Sequence, residues 1–139
     1  MFKLTTKFLI VDDFSSMRKI VKKVLTDLGY ENMVEAIDGQ VAYDLIVQHA
    51  KTNEPIEFII TDWNMPNMSG LELLKKCRGN DIFAKIPIMM VTAENEQSQI
   101  LSACKLGVTE YVVKPFSPAI LKEKLEISYK KLNANTNAA

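Results

Sequence analysis

The amino-acid sequence predicts an α/β domain with a mostly parallel sheet and helices on both faces. Five short runs rich in strand-forming residues alternate with five helical patterns, an order that favours parallel strands joined by right-handed crossovers. Three of these runs are almost wholly apolar, as expected of strands that are covered on both sides. At 139 residues the chain is long enough for one domain and too short for two ordinary ones.

The strands and the first three helices follow from local patterns. The predicted strands are KFLIV (7–11), MVEAI (33–37), FIIT (58–61), IMMVT (88–92) and EYVVK (110–114). A helical spacing of apolar residues follows the first strand and ends at Gly29. A second helix covers 40–50, and a third begins at Ser69, where Ser69 and Glu72 have the spacing of a capping box.

Two further helices and a short tail complete the chain. A fourth helix is predicted over 95–106, and a fifth has Ser117 as its N-cap and Pro118 at its first helical position. The last seven residues, 133–139, carry no apolar pattern that could pack. We therefore predict one domain over 1–132 and a flexible C-terminal tail over 133–139.

Composition excludes several function classes. Lys plus Arg and Asp plus Glu both number 17, so there is no general basic surface for nucleic acid or an anionic membrane. No apolar run approaches the roughly 20 residues of a membrane span, and the N-terminus offers no signal peptide. Cys77 and Cys104 fall in helical patterns without a C-x-x-C motif, which predicts small buried side chains. We expect a cytoplasmic protein with no nucleic-acid partner and no membrane insertion.

Four of the five predicted strands end in charged or hydroxyl-bearing residues. Asp12 and Asp13 end the first strand, and Asp62 ends the third. Thr92 ends the fourth strand and Lys114 ends the fifth. In an open doubly wound sheet the functional crevice lies outside the carboxyl ends of the strands. We therefore expect these side chains to meet at one rim.

The three carboxylates predict a divalent cation. Neighbouring acids repel one another and raise each other's pKa, so Asp12 and Asp13 need a compensating charge. All the candidate ligands are oxygens, with no His or Cys nearby, which excludes zinc and favours Mg²⁺, Mn²⁺ or Ca²⁺. Mg²⁺ suits the site better than Ca²⁺ because it needs fewer protein ligands and leaves positions for phosphate oxygens. Mn²⁺ is the alternative metal.

The remaining rim residues suit an anion beside that cation. A lysine ammonium such as Lys114 is a compact charge for phosphate, and Thr92 offers a hydroxyl. Asp62 stands between the metal and these donors. It is therefore placed as a nucleophile that forms an acyl phosphate, with Mg²⁺ and Lys114 spreading the transferred charge.

The segments VDD, TDWNMPNMSGLELL, MMVTAE and YVVKPF resemble the receiver domain of two-component response regulators, especially its single-domain chemotaxis members. The resemblance covers residues 7–132. It implies a flavodoxin-like doubly wound (βα)5 fold with a five-stranded parallel sheet in the order 2-1-3-4-5. It also implies that the chain is a phospho-accepting signalling protein rather than an enzyme, although it catalyses its own phosphoryl transfer and dephosphorylation.

The resemblance assigns a role to each residue at the rim. Asp62 is expected to be the phosphoryl acceptor, and Lys114 is expected to pair with the phosphoryl group. Asp13, the Asp62 carboxylate and the backbone carbonyl of Asn64 are expected to bind Mg²⁺. Asp12 is expected to reach the metal largely through water.

The resemblance also implies a switch and a short-lived acyl phosphate. Thr92 is expected to donate its hydroxyl to the phosphate, and Tyr111 to turn inward as Thr92 moves. Asn64 and Glu94 match the chemotaxis members at two positions that flank the phosphate. The Lys114–Pro115 peptide bond is expected to be cis.

These features predict a phospho-switch of partner binding. A histidine kinase is the expected phosphodonor and the flagellar motor switch the leading target, reached through the fourth helix, fifth strand and fifth helix. A phosphatase is a further expected partner, and the chain is expected to be a monomer. Lys124 matches the chemotaxis members, whereas Glu96 and Gln97 stand where those have lysines.

Four other interpretations compete with this one. A single-domain phosphorelay intermediate and a phosphorylation-independent interaction module remain as alternatives. An aspartate-dependent phosphatase fits less well because Asn64 stands where it needs a second acid. A flavodoxin fits less well because acids replace its phosphate loop. Trp63, directly after the acceptor, is expected to be an exposed aromatic at the rim.

Overall fold

The computed structural model describes residues 2–93 and 97–138, in which strands and helices alternate strictly. The elements are β1 (Phe8–Val11), α1 (Ser15–Asp27), β2 (Met33–Ala36), α2 (Gly39–Ala50), β3 (Phe58–Asp62), α3 (Gly70–Arg78), β4 (Ile88–Thr92), α4 (Gln97–Lys105), β5 (Glu110–Val113) and α5 (Pro118–Ala138). The predicted elements are therefore all present, with ends that differ by a few residues. No described helix is long and apolar enough to cross a membrane.

The five strands form one parallel sheet in the order β2-β1-β3-β4-β5. This confirms the predicted flavodoxin-like doubly wound topology. Val11 at the end of β1 lies beside Thr61 of β3, and Asp62 lies beside Val91 of β4. Because these registers align the carboxyl ends of the central strands, the residues that follow them come to the same edge of the sheet.

Each face of the sheet has its own hydrophobic cluster. Phe8 and Ile10 of β1 pack with apolar residues of α1 and α5. Leu9 and Val11 point to the other face and pack with α2 and α3. Side chains alternate between the two faces along a strand, so a strand covered on both sides must be apolar throughout. Full burial of each such side chain contributes about 1.5–3 kcal/mol.

Side-chain caps fix where α3 and α5 begin. The predicted capping box of α3 is present: Glu72 N donates to Ser69 Oγ at 3.2 Å, and Ser69 N donates to Glu72 Oε1 at 3.4 Å. Ser117 is the predicted N-cap of α5, and its Oγ accepts from Ile120 N at 3.2 Å. These caps satisfy backbone N–H groups that have no partner within the helix.

The structure corrects the prediction for Cys104 and leaves other predictions untested. Cys77 is buried as predicted, but Cys104 is exposed, because successive helical residues point in different directions and the buried neighbour on α4 is Ala103. Glu94 and Glu96 lie outside the described residues, as does the side chain of Gln97. Helix α5 continues to Ala138, and the flexibility of 133–139 stays a prediction.

Candidate functional site

Three carboxylates meet where β1 and β3 end. One oxygen from each of Asp12, Asp13 and Asp62 lies within 4.8 Å of the others. Asp12 and Asp62 are buried, with 3% and 7% of their surface exposed, whereas Asp13 is exposed. The structure thus brings together the three acids that the sequence places at one rim. The exposed Asp13 leaves the cluster open to solvent on one side.

Lys114 supplies the positive charge beside this cluster. Its Nζ lies 3.2 Å from Asp12 Oδ2 and 3.4 Å from Asp62 Oδ2. Its backbone N donates to Thr92 O at 2.7 Å, which ties the end of β5 to the end of β4. The Lys114–Pro115 bond is cis, as the resemblance implies. The cation that follows β5 therefore lies against the buried acids at the ends of β1 and β3.

Backbone donors hold the two buried carboxylates in place. Trp63 N donates to Asp62 Oδ1 at 2.8 Å, and Phe14 N donates to Asp12 Oδ1 at 2.9 Å. Arg18 Nη1 donates to the carbonyl oxygen of Asp12 at 2.7 Å. The second oxygen of each carboxylate, Oδ2, contacts the Lys114 ammonium. These contacts together fix the orientation of both carboxylates.

Burial dominates the electrostatics of Asp62. It raises the pKa of the Asp62 carboxyl, the charge of Lys114 opposes this, and the charge of Asp12 adds to it. The net result is a pKa above the ordinary value of an aspartate. The Lys114 ammonium thus counteracts part of the effect of burial and favours the ionised form of Asp62.

The donor set fits a hard divalent cation. When all four groups are ionised, the three carboxylates exceed the single Lys114 ammonium by two negative charges. Carboxylate oxygens are ligands for Mg²⁺, Mn²⁺ or Ca²⁺, and the cluster includes no imidazole or thiolate. The exposed Asn64 lies two residues after Asp62, in the loop between β3 and α3. The cluster is therefore an acidic site whose charge calls for a cation.

Thr92 and Tyr111 lie on the neighbouring strands β4 and β5. Thr92 is buried at the end of β4. Tyr111 is half-buried and packs against the cluster beneath α2 and α3. The ammonium of Lys124 on α5 lies over the Tyr111 ring, 5.1 Å from its centroid. Glu94, the remaining predicted site residue, lies outside the described part of the chain.

Trp63 is buried, contrary to the expectation of an exposed rim aromatic. It is 8% exposed and belongs to the cluster beneath α2 and α3. Its N donates to Val91 O at 3.1 Å, and its O accepts from Gly70 N at 2.9 Å. Because Trp63 has polar neighbours on both sides in the sequence, no local apolar pattern indicates that it is buried. Trp63 therefore links the acid cluster rigidly to β4 and α3.

Sequence reasoning missed the residues that hold the loop between β3 and α3. Asp38, the N-cap of α2, accepts from Val41 N at 2.9 Å and from Asn67 Nδ2 at 2.8 Å. These two hydrogen bonds lower the pKa of the Asp38 carboxyl. Asn67 has a φ of 66°, a conformation that asparagine tolerates better than most residues. An Asp-Gly pair such as Asp38–Gly39 is typical of a turn or helix start, but no local pattern indicates the contact with Asn67.

Residues 8–126 match the family model described as the response regulator receiver domain. The chain belongs to the response regulator receiver domain family. Among curated relatives, the receiver is 49% identical over 120 residues to a chemotaxis protein CheY homologue of Campylobacter jejuni, covering 86% of this chain and 89% of that protein. It is 46% identical over 127 residues to the chemotaxis protein CheY of Pseudomonas aeruginosa, covering 91% and 98%.

A solved structure of Vibrio cholerae chemotaxis protein CheY4 resembles the receiver with a TM-score of 0.75. The two are 34% identical, and the match covers 88% of this chain and 97% of that chain. The predicted resemblance to the single-domain chemotaxis regulator CheY is thereby confirmed. The receiver is accordingly a signalling protein of the response regulator class.

Proposed function

We propose that this receiver is a cytoplasmic chemotaxis response regulator that accepts a phosphoryl group on Asp62 from a histidine kinase. One observation carries the proposal: the buried Asp62 carboxylate lies 3.4 Å from the Lys114 ammonium and within a cluster of three acids. Its relatives named as chemotaxis proteins support the choice of pathway. The flagellar motor switch is the leading downstream partner.

The transfer needs a carboxylate nucleophile and compensation of charge. A carboxylate oxygen of Asp62 attacks phosphorus, the P–N bond of the phosphohistidine breaks, and the imidazole nitrogen leaves with the bonding electron pair. The Lys114 charge favours the ionised form of Asp62, and Lys114 stays beside the transferred group. Asp13, Asp62 and the Asn64 carbonyl would hold Mg²⁺, or Mn²⁺ in its place, and Asp12 would take part largely through water. The metal, when bound, neutralises charge on the phosphoryl oxygens.

Phosphorylation changes the partner-facing surface through Thr92 and Tyr111. The new phosphoryl oxygens accept a hydrogen bond from the Thr92 hydroxyl, which draws the end of β4 towards Asp62. Tyr111 turns inward as Thr92 moves, and the face formed by α4, β5 and α5 changes. Couplings of this kind are worth about 1–3 kcal/mol, enough to change partner affinity several-fold or more.

The acyl phosphate is short-lived in this proposal. Asn64 and Glu94 flank the phosphoryl group and govern the attack of water on it. The receiver therefore catalyses its own dephosphorylation, and a phosphatase is a further partner. It acts as a monomer whose output is carried by a target protein.

The decisive test combines phosphate incorporation with Trp63 fluorescence. Mg²⁺ is added first and acetyl phosphate second, to wild type and to Asp62→Asn. We expect Mg²⁺ to change the Trp63 fluorescence. Trp63 directly follows Asp62, and its backbone N donates to the Asp62 carboxylate, so a change at that carboxylate alters the surroundings of Trp63. We expect acetyl phosphate to add a phosphoryl group, measured by intact mass, in wild type only. A wild type that incorporates no phosphate would refute the proposal and favour a phosphorylation-independent interaction module.

A single-domain phosphorelay intermediate is the second candidate. Glu96 and Gln97 stand where the chemotaxis members have lysines, whereas Lys124 matches them, so the partner-facing helices match those members only in part and keep this candidate open. The two candidates differ in where the phosphoryl group goes next. Binding of the phosphorylated receiver to a motor-switch peptide supports chemotaxis, whereas rapid transfer to a histidine phosphotransfer domain supports the relay.

A further inference from the structure

Another buried carboxylate, outside the acid cluster, lies at the other end of β5 from Lys114. Glu110 is the first residue of β5 and is 7% exposed. Its Oε1 accepts from Tyr111 N at 3.0 Å and lies 3.4 Å from Lys124 Nζ. Its Oε2 lies 2.9 Å from Lys131 Nζ. A buried carboxylate is tolerated only when it is paired in this way, and both of its lysines come from α5.

The position of β5 lets one lysine reach two faces of the sheet. β5 is an edge strand, and Glu110 and Val112 are more buried than the residues that alternate with them. Val112 packs towards α5, whereas Tyr111 packs towards the opposite face. Lys124 extends from α5 around the open edge, where its ammonium contacts Glu110 and lies over the Tyr111 ring.

Lys124 therefore joins a fixed carboxylate to the aromatic ring of Tyr111. An ammonium is attracted to the face of an aromatic ring, but a free lysine side chain samples many rotamers. Glu110 restricts Lys124 to one of these positions, because the carboxylate oxygen that contacts Lys124, Oε1, is itself held by Tyr111 N. The ring and the carboxylate then share one cation.

We propose that Glu110 is a positioning residue that holds Lys124 over the Tyr111 ring and so stabilises the half-buried position of Tyr111. This inference rests on the proposed function, in which Tyr111 turns inward on phosphorylation. Glu110 then opposes the inward movement, and its pairing with Lys124 sets how readily the partner-facing surface switches. Lys131 pairs with the other carboxylate oxygen, Oε2, whereas the ammonium over the Tyr111 ring, in the part of the chain that the structure describes, is that of Lys124.

Fluorine NMR of Tyr111 tests this directly. The four tyrosines are replaced by 3-fluorotyrosine, and Tyr111→Phe identifies the Tyr111 resonance. Spectra are recorded without Mg²⁺ or phosphodonor for wild type, Glu110→Gln, Lys124→Met and Lys131→Met. We expect Glu110→Gln and Lys124→Met to shift the Tyr111 resonance in the same direction by more than its line width. Lys131→Met is the matched control, because it also removes a partner of Glu110 but is expected to leave that resonance in place.

Two results would overturn the proposal. One is a Tyr111 resonance that Lys124→Met shifts and Glu110→Gln leaves unchanged. The other is a shift in Lys131→Met as large as that in Glu110→Gln, since a purely structural role of the ion cluster would affect both variants alike. If Glu110→Gln does not fold, Lys124→Arg is expected to keep the wild-type resonance, and an unshifted Lys124→Met overturns the proposal.

The outcome is independent of the phosphorylation test. These spectra need neither metal nor phosphoryl group, so their failure leaves phosphorylation of Asp62 untouched. A wild type that incorporates no phosphate would refute the proposed function and leave the Tyr111 spectra to be judged separately.

Discussion

Gly70 and Asp62 are in direct backbone contact. A Cβ atom added to Gly70 would clash with the carbonyl oxygen of Asp62 and would also crowd the sulfur of Met90. Gly70 N donates to Trp63 O at 2.9 Å, which holds the start of α3 against the end of β3. The helix that follows the acid cluster therefore rests on the backbone of the candidate acceptor, and any side chain at Gly70 must displace one of them.

Gly70→Ala is expected to lower the free energy of unfolding by about 1–3 kcal/mol, because backbone atoms at this contact have little room to move. Gly79→Ala is the control: its added Cβ would lie 3.3 Å from Lys75 O, a much milder contact than that at Gly70, and its φ of −83° suits alanine, so we expect a loss below about 1 kcal/mol. Urea unfolding of both variants measures the difference. If Gly70→Ala and Gly79→Ala lost the same stability, the close contact between Gly70 and Asp62 would not be the cause of the loss.

Lys114→Met is expected to destabilise the receiver by about 3 kcal/mol, because it leaves Asp12 and Asp62 buried without their cation. The loss should be smaller in an Asp62→Asn background, where one of the two buried charges is gone. Urea unfolding of the two single variants and the double variant, in the presence of EDTA, gives the coupling free energy between Lys114 and Asp62. If Lys114→Met cost the same stability in wild type and in Asp62→Asn, the two residues would not be coupled and this account would be contradicted.

Lys23→Met is the control for loss of a lysine charge. It removes an exposed ion pair with Asp27 and should change stability by less than about 1 kcal/mol.

Much of the site was predictable because it depends on local patterns. Apolar strands that end abruptly in Asp12, Asp13 and Asp62 indicate both the sheet and its functional edge. Lys114 and Thr92 follow the same rule on the neighbouring strands. The strand order was supplied by the family resemblance, since periodicity alone does not distinguish among doubly wound topologies.

The features that escaped sequence reasoning depend on contacts between residues far apart in the chain. Asn67 meets Asp38 across 29 positions, and Glu110 meets Lys131 across 21. Burial of Trp63 follows from how α3 packs on β3, which no hydrophobic period around Trp63 reveals. Such contacts are set by tertiary packing, which overrides local preference.

Mg²⁺ is expected to stabilise the fold through the acid cluster. At a concentration one hundred times its dissociation constant, a ligand that binds only the folded state adds about 2.7 kcal/mol. Asp13→Asn should abolish most of this gain, yet leave metal-free stability near that of wild type because Asp13 is exposed. Thermal unfolding with Mg²⁺ and with EDTA provides the comparison. Asp27→Asn, an exposed acid on α1, should retain the gain, and a full gain in Asp13→Asn would exclude Asp13 as a ligand.

Glu110 is expected to make stability depend on pH. Burial tends to raise the pKa of Glu110, but hydrogen bonds from Lys131 and Tyr111 N and the charges of Lys124 and Lys131 outweigh it, so the pKa is lowered. A carboxyl whose pKa is lower in the folded state contributes stability above its unfolded pKa, about 4.3. That contribution is lost as the pH falls through the folded pKa.

Glu110→Gln should therefore be less stable than wild type at neutral pH, by about 1–3 kcal/mol, because the lysines lose a charged partner. The gap should narrow as the pH falls below the unfolded pKa, since wild-type Glu110 then becomes protonated and its ion pairs are lost. Urea unfolding of both proteins, at pH values from neutral to below the unfolded pKa, measures this difference in unfolding free energy. Glu123→Gln, an exposed acid on α5, should follow wild type throughout. A gap that stays constant with pH would mean that packing, rather than the Glu110 charge, accounts for the loss.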